Sequence, residues 1–350
     1  MLAARYKKHT LYFLKPAGTS RGILLSKNSY FILISDTDQP GITGVGECSI
    51  IPGLSPDDRP GLEAKLSEAC RDINLSWQNR SDSLAAWPGI SAGIEMALRD
   101  LDKGGNRILF CSPFTGGERT IPIHGLIWMG KPETLLQQID EKLNNGFRVI
   151  KMKIGALPFN EEIMIIRHIR RHFNETEVEL RLDANGAFLP DEAAGKLEQL
   201  AEFHIHSVEQ PILPGQAEAL AELCMSSPVP LALDEELTGI CGIENINRLL
   251  DLIRPQYLVI KPSLLGGFES AESWIQAASK RGIGWWANSA LESNIGLNAL
   301  AQWVAISDNL IVQGLGTGSL FTNNIPSPLT VLDGELRYNP LFPWDFSAIL

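Results

Sequence analysis

A regular alternation of short apolar strands with helical stretches constrains the fold most, and it begins near residue 120 of the 350-residue chain. Such alternation is typical of βαβ units that surround a parallel sheet. The eight predicted strands lie at residues 121–126, 148–154, 177–183, 205–210, 231–234, 257–261, 284–287 and 310–314. Eight repeats predict a (β/α)8-type barrel. The alternative is an open doubly wound sheet, but the GxGxxG opening that would support it is missing after the first strand.

The first part of the chain has a different pattern, which predicts a separate unit of mixed strands and helices. Its predicted elements are strands at 4–15, 22–35 and 42–48, helices at 61–73 and 91–101, and loops at 16–22 and 47–57. The segment 104–119 is rich in Gly, Pro and Thr, so it is the candidate linker to the barrel.

Charge and composition exclude several functional classes. The chain has 41 acidic and 30 basic residues, and a net charge of −11 is poorly suited to the phosphate backbone of nucleic acids. No apolar stretch reaches the roughly 18 residues that a membrane span needs. The five cysteines are scattered and form no CxxC pair, as expected of reduced thiols in the cytoplasm. We therefore expect a cytoplasmic protein that binds a small molecule, without nucleic-acid or membrane partners.

Charged residues recur at the carboxyl ends of five successive predicted strands, where barrel enzymes place their active sites. They follow one another at intervals of 25 to 30 residues, about one β/α unit. These residues are Lys153, Asp183, Glu209, Asp234 and Lys261. A single Lys or Asp at a strand end is commonly a solvated rim residue or a helix cap. Five of them at the same level indicate a common site.

The alternation of side chains along a strand predicts which groups point into the barrel. In the second strand, Ile150, Met152 and Ile154 share an apolar face that suits the helices, so Lys151 and Lys153 point inward. Ionised groups are costly to bury alone. The inward lysines and carboxylates therefore need each other or a metal ion.

The residue types indicate the chemistry. Asp183, Glu209 and Asp234 offer hard oxygen ligands on adjacent strands, which suits Mg²⁺, or alternatively Mn²⁺, better than zinc. The second and sixth strands lie on opposite sides of the barrel, so Lys153 and Lys261 would flank a substrate held at the metal. This arrangement favours removal of a proton next to a carboxylate by a lysine base.

Other residues are weaker candidates for substrate binding. Asn185 shares the inward face of Asp183, and we expect it to bond a ligand or lysine, or to serve a turn. The glycine-rich run at 314–318, which includes Gly316, suits an anionic substrate tail or a tight turn. Ser289 could bond a substrate carboxylate, and Arg21 could close over the site from its loop. Ordinary loop and surface roles are the stronger interpretation for these two residues.

The histidines are not expected to be catalytic. His204 and His206 form an HxH pair, but they enter the fourth strand three to five residues before Glu209. That spacing puts them roughly 10–16 Å from the mouth of the barrel. We predict that His124, inside the first strand, is a hydrogen-bonded barrel residue.

The combined pattern resembles the enolase superfamily and, within it, the muconate-lactonizing-enzyme subgroup. That subgroup has a KxK motif on the second barrel strand, matched here by Lys151 and Lys153. Its three metal ligands and second acid/base lysine match Asp183, Glu209, Asp234 and Lys261. The resemblance covers nearly the whole chain and implies a magnesium-dependent enzyme.

The resemblance also implies the domain organisation. An N-terminal α+β capping domain is expected at 1–110, and a modified (β/α)7β TIM-type barrel at 120–320. A C-terminal segment at 321–350 is expected to pack back on the cap. The oligomeric state is not predicted.

Within the subgroup, the stretches 46–55, 288–293 and 314–318 are similar to a dehydratase family of menaquinone biosynthesis. This similarity implies syn dehydration of 2-succinyl-6-hydroxy-2,4-cyclohexadiene-1-carboxylate through an enediolate, which is a carbon–oxygen lyase reaction. Lys153 would remove the proton and return it to the departing hydroxyl, while Lys261 would stay protonated. Lys151 would lower the pKa of Lys153.

Four alternatives use the same scaffold. N-acylamino acid racemization needs the same two lysines and stays open. Dipeptide epimerization is associated with an Asp-x-Asp after the last strand, where this chain has Gly-Thr-Gly at 316–318. A mandelate-racemase-like reaction needs a His base near the seventh strand, and the stretch 285–293 contains no His. A non-catalytic metal-binding barrel is the remaining alternative, although metal binding alone does not require two lysines.

Overall fold

The computed structural model describes residues 1–19, 22–38, 41–316, 320–347 and 349. These residues form a parallel barrel sheet, an antiparallel sheet near the N-terminus and a small antiparallel sheet beside the barrel. Among these residues, no helix has the length and hydrophobicity needed to cross a membrane.

The N-terminal sheet carries the capping domain. Its antiparallel strands, in spatial order, are β1 (Leu2–Thr19), β2 (Gly22–Asp36) and β3 (Thr43–Ser49). The prediction of a loop at 16–22 is wrong for its described residues, because β1 continues to Thr19. The pairing shifts register between Tyr12 and Ala17. Pro16 lies in this interval and has no N–H for the ladder, so an irregularity is accommodated there.

Four helices follow in the described part of the capping domain: α1 (Leu62–Arg71), α2 (Ile73–Gln78), α3 (Arg80–Ser83) and α4 (Pro88–Asp102). Helix α4 crosses β3 so closely that side chains are excluded from part of the strand. A Cβ on Gly44 would lie 1.9 Å from the Ala97 oxygen, and one on Gly46 would lie 2.0 Å from the Gly93 oxygen. The glycines of this strand are therefore required by the close approach of two backbones.

The chain then alternates between strands and helices. The described elements are β4 (Ile121–Pro122), β5 (Gly125–Ile127), α5 (Pro132–Asn144), β6 (Val149–Lys153), α6 (Phe159–His172), β7 (Glu179–Asp183), α7 (Pro190–Ala201), β8 (Ser207–Glu209), α8 (Ala217–Ser226), β9 (Leu231–Leu233), α9 (Ile243–Ile253), β10 (Tyr257–Ile260), α10 (Pro262–Leu265), α11 (Phe268–Ser279), β11 (Gly284–Ala287), α12 (Asn294–Ala305), β12 (Leu329–Leu332) and β13 (Glu335–Tyr338). Strands β5 to β11 are parallel neighbours in chain order. This order confirms the predicted succession of β/α units.

Two residues after α12 close the barrel. Gln313 forms a parallel bridge with Ile123, at the β5 edge, and Gly314 forms one with Asn288, at the β11 edge. The Gly314 amide donates to the Ala287 carbonyl oxygen at 2.7 Å. In the described chain, seven strand–helix units thus precede a closing segment, which is the expected (β/α)7β form.

The first and last predicted barrel strands are shorter than expected. Of residues 121–126, the first two form β4 and pair with β13, so the barrel pairing begins only at Ile123. Of residues 310–314, only the last two pair with neighbouring strands. The side chain of Gln313 replaces the missing ladder: its Oε1 accepts from the Ala287 amide at 2.7 Å, and its Nε2 donates to the Ile311 oxygen at 2.5 Å.

The chain after the barrel contacts the N-terminal sheet. Phe321 bridges Phe13 in β1, with ring centroids 4.8 Å apart. Ile325 is buried against Phe31 and Val45. These contacts join the capping domain to the barrel and place its loops beside the barrel mouth.

Candidate active site

Two lysines on β6 project into the mouth of the barrel, as the alternation predicts. Lys151 is buried, and its Nζ lies 2.7 Å from Glu209 Oε1 and 3.0 Å from Asp183 Oδ2. Lys153 Nζ lies 3.1 Å from the same Asp183 oxygen. Strands β6, β7 and β8 are in register here, with Lys153 beside Asp183 and Asp183 beside Glu209. The predicted charges of these strands therefore meet at one level.

A third lysine lies across the mouth. Lys261 follows β10, four strands from β6, and its Nζ lies 2.5 Å from Asp234 Oδ2. Lys153 and Lys261 line the same cavity of about 460 Å³. A small molecule in this cavity would lie between two lysine side chains on different sides of the barrel.

The charges of the site determine one another's protonation. Burial alone would lower the pKa of Lys151, but the carboxylates of Asp183, Glu209 and Asp234 raise it above its ordinary value. Burial would likewise raise the pKa of Asp183, but three neighbouring ammonium groups hold it below its ordinary value. Lys151 is therefore a buried cation that neutralises the carboxylates. The predicted influence of Lys151 on the base Lys153 stays a prediction.

The carboxylates fit a divalent cation. In the described residues no group of three His, Cys, Asp or Glu side chains already surrounds a common point, and Lys151 lies between two of the expected ligands. Glu209 Oε2 is buried, and no described residue gives it a hydrogen bond. Burial and the neighbouring Asp183 raise the pKa of Glu209 well above its ordinary value. A buried carboxylate oxygen that lacks a donor suits a hard cation such as Mg²⁺.

Asn185 connects Lys153 to a residue that the sequence reasoning missed. Its Oδ1 accepts from Lys153 Nζ at 2.6 Å, and its Nδ2 donates to Glu235 Oε1 at 2.9 Å. Its φ of 44° is in the left-handed region, which Asn tolerates better than most residues. Asn185 thus serves a turn and also contacts the lysine. The sequence did contain a signal for this residue: Glu235 directly follows Asp234, so it also lies at the carboxyl end of a barrel strand.

Asn288 and His124 also face the cavity. The Asn288 amide, oriented by its hydrogen-bond partners, has its oxygen 3.0 Å from Lys151 Nζ and its nitrogen 3.2 Å from the Ala287 oxygen. Burial, with the charges of Arg181 and Lys151, lowers the pKa of His124 well below its ordinary value. The sequence predicts that this ring is hydrogen-bonded. Its buried Nδ1, however, has no hydrogen-bond partner among the described residues.

Gly314 leaves room for both of these side chains. A Cβ at this position would lie 1.8 Å from the Asn288 amide nitrogen in this orientation and 2.8 Å from His124 Cε1. Overpacking of this kind costs about 1–3 kcal/mol, so we expect Gly314→Ala to lower the Tm measured by calorimetry. Gly195→Ala in α7 is the matched control, because a Cβ there meets no atom within 4 Å. Equal Tm values for the two variants would contradict this account of Gly314.

Of the remaining weaker candidates for substrate binding, two line the cavity and one lies outside the described residues. Gly316 and Ser289 line the cavity. The Ser289 hydroxyl donates to Glu292 Oε2 at 2.5 Å, so its proton is directed away from a substrate carboxylate. Arg21 and residues 317–318 lie outside the described residues.

The HxH pair is far from the mouth, as predicted. The ring of His206 stacks on Tyr257, with centroids 4.9 Å apart. Tyr257 begins β10, whereas Lys261 follows the end of that strand. His206 therefore lies toward the amino end of the barrel.

The capping domain supplies an apolar wall of the cavity. Leu24 comes from β2, and Ile51, Pro52 and Leu54 come from the loop after β3. The loop similarity found at 46–55 thus falls partly on residues that face the cavity. The site combines a charged floor from the barrel with an apolar cover from the cap.

Comparison with known proteins places this geometry in context. Residues 134–340 match the family model described as enolase C-terminal domain-like. The chain is 45% identical to the o-succinylbenzoate synthase of Desulfotalea psychrophila (strain LSv54), over 95% of this chain and 97% of the relative. The crystal structure of MenC from Desulfotalea psychrophila LSv54 superposes with a TM-score of 0.84 at 40% identity and covers 96% of this chain and 99% of its own.

A more distant structure has the same fold. A dipeptide epimerase from Enterococcus faecalis V583, complexed with Mg and the dipeptide L-Leu-L-Tyr, superposes with a TM-score of 0.83. It is 20% identical and covers 96% of each chain, so the likeness concerns the fold alone.

Proposed function

The chain belongs to the enolase C-terminal domain-like family, and from this membership we propose that it is an o-succinylbenzoate synthase. It dehydrates 2-succinyl-6-hydroxy-2,4-cyclohexadiene-1-carboxylate to 2-succinylbenzoate, a carbon–oxygen lyase reaction of menaquinone biosynthesis. The observation that carries the proposal is the 45% identity to such an enzyme over nearly the whole of both chains. The lysines that flank one cavity supply the chemistry.

We propose that Lys153 is the base and then the acid. The reaction breaks the C–H bond next to the ring carboxylate and the C–O bond of the adjacent hydroxyl, and it releases water as the ring becomes aromatic. In a syn elimination both groups leave from one face, so one residue can accept the proton and return it to the hydroxyl. Asn185 Oδ1, 2.6 Å from Lys153 Nζ, fixes the position of the amine.

Lys261 has a different role in the proposal. Burial alone would lower its pKa, but Asp234, Glu235 and Glu209 raise it above its ordinary value. The group therefore stays an ammonium ion during the reaction. It stabilises the negative charge that develops when the proton leaves.

Asp183, Glu209 and Asp234 would hold a divalent cation, Mg²⁺ or Mn²⁺. When bound, such a cation supplies positive charge opposite the substrate carboxylate. The chemistry of the donors and the unpartnered oxygen of Glu209 support this assignment.

A single assay with two substrates tests the function. We expect the diene absorbance of the cyclohexadiene substrate to disappear with Mg²⁺ present, to persist after EDTA treatment, and to disappear again when Mg²⁺ is restored. Turnover of N-succinyl amino acids without dehydration would instead identify a racemase. Metal binding with neither activity would identify a non-catalytic barrel.

N-acylamino acid racemization is the second candidate. Lys153 and Lys261 face one cavity from strands on different sides of the barrel. That arrangement also suits removal of a proton from one face of a carbon and its return to the other. The two reactions therefore compete for the same residues.

We further propose that the enzyme acts in the cytoplasm on a small carboxylate. The thiols support this location, because all five cysteines lie in the described part of the chain and are free.

A further inference from the structure

A buried lysine of the capping domain reaches into the barrel. Lys27 in β2 is 2% exposed. Its Nζ donates to Ser29 Oγ at 3.1 Å, to Ser49 Oγ at 2.5 Å and to the Leu291 carbonyl oxygen at 2.8 Å. An ammonium group has three donors, so every donor is used. One of them holds residues 288–293, the wall loop that follows β11.

A buried glutamate makes the second connection. Glu47 Oε1 accepts from Ser29 Oγ at 2.6 Å and from the Ser293 amide at 2.9 Å. Its Oε2 accepts from Ser293 Oγ at 2.6 Å and from the Gly296 amide at 3.0 Å. Ser293 caps α12, so a carboxylate of the cap lies at the positive N-terminus of a barrel helix.

The wall loop needs such support. Leu291 has a φ of 58°, a left-handed conformation that leucine rarely adopts unless its surroundings hold it. Lys27 bonds the carbonyl oxygen of this residue, and Ser49 Oγ bonds that of Ala290 at 3.1 Å. The cap therefore holds the two central carbonyl groups of the loop.

The wall loop borders the cavity. Asn288, Ser289 and Leu291 line it, next to Leu24 and Ile51 of the cap. The wall loop also lies beside β10, where the Asn288 amide donates to the Ile260 oxygen at 2.9 Å. Within the described residues, Lys27 and Glu47 themselves make no hydrogen bond or ion pair to the lysines and carboxylates of β6 to β10, and so none to Lys153, the proposed base.

We propose that Lys27 and Glu47 are positioning residues through which the capping domain shapes the substrate pocket. They hold the wall loop in the conformation that contacts the non-reacting part of the substrate, which is its succinyl chain. The kinetic consequence rests on the proposed function. Because Lys27 and Glu47 make no bond to Lys153, loss of the network weakens substrate binding more than it slows the chemical steps.

The test compares Lys27→Met and Ser49→Ala with the unchanged enzyme, all with Mg²⁺. We expect KM to rise at least about tenfold while kcat changes less than about threefold. Hydrogen exchange at the Ser293 and Gly296 amides is expected to accelerate at least about tenfold, while β2 and β3 keep their protection. If Lys27→Met does not fold, Ser49→Ala decides the question, because it removes one bond to Lys27 and one to the loop.

Ile34→Val is the matched control. Ile34 is fully buried in the capping domain and packs away from the network, so this variant lowers the stability of the cap without touching the wall loop. The proposal would be overturned if KM and the hydrogen exchange of the Ser293 and Gly296 amides stayed unchanged in Lys27→Met and Ser49→Ala. It would also be overturned if Ile34→Val changed both quantities as much as these variants do. Failure of the unchanged enzyme to dehydrate the substrate would refute the proposed function alone, since the exchange measurement does not need the substrate.

Discussion

Lys153→Ala is expected to lose dehydration while it keeps its fold and its affinity for Mg²⁺. General acid–base catalysis by one side chain contributes about 10²- to 10⁴-fold to a rate. Lys153 would serve both proton transfers, so we expect kcat to fall toward the upper end of this range. The measurement is the initial rate of diene loss at saturating substrate.

Two controls separate a catalytic loss from a general one. Lys196→Ala changes a lysine of α7 that pairs with Glu192 and is remote from the cavity, and we expect its kcat to be unchanged. Calorimetric titration with Mg²⁺ is expected to give the same affinity for Lys153→Ala and the unchanged enzyme. A near-normal rate in Lys153→Ala would refute the proposed base.

Lys151→Met is expected to destabilise the metal-free protein and to be largely rescued by Mg²⁺. Lys151 Nζ lies within 3.0 Å of both Asp183 and Glu209, and the three side chains are buried. Breaking a buried ion pair by removing one partner costs about 3–5 kcal/mol, because the remaining charge is left without compensation. A bound divalent cation would supply that compensation, so the loss is expected to shrink when Mg²⁺ is present.

Urea unfolding in EDTA and in Mg²⁺ measures this difference. Lys8→Met, which breaks the exposed pair with Glu63, is the control and is expected to change stability by less than about 1 kcal/mol under both conditions. An equal loss for Lys151→Met in EDTA and in Mg²⁺ would show that Lys151 is structural and does not share its partners with a cation.

The parts of the fold and site that sequence predicts are those with a local signal. The strand ends at Lys153, Asp183, Glu209, Asp234 and Lys261 are separated by one β/α unit each, and strand alternation decides which side chains point inward. Register in a parallel barrel then brings them to one level. These features require no knowledge of which distant residues touch.

The remaining features depend on contacts between residues that are far apart in sequence. Lys151 pairs with Glu209 on β8, a partner that is 58 positions away in the sequence. Gln313 completes the ladder of the barrel through its own side chain. A residue's type and local pattern do not specify such partners, because the same side chain has many possible donors and acceptors in a folded chain.

The bond between Glu47 and the Gly296 amide has a consequence for synthesis on the ribosome. The two residues are 249 positions apart. At about 5–20 residues per second, roughly 10 to 50 s pass between their appearance. During this time the strands of the cap can pair, but Glu47 still lacks its donors from Ser293 and Gly296. Completion of the cap interior is therefore a late event in the life of each nascent chain, although the cap is translated first.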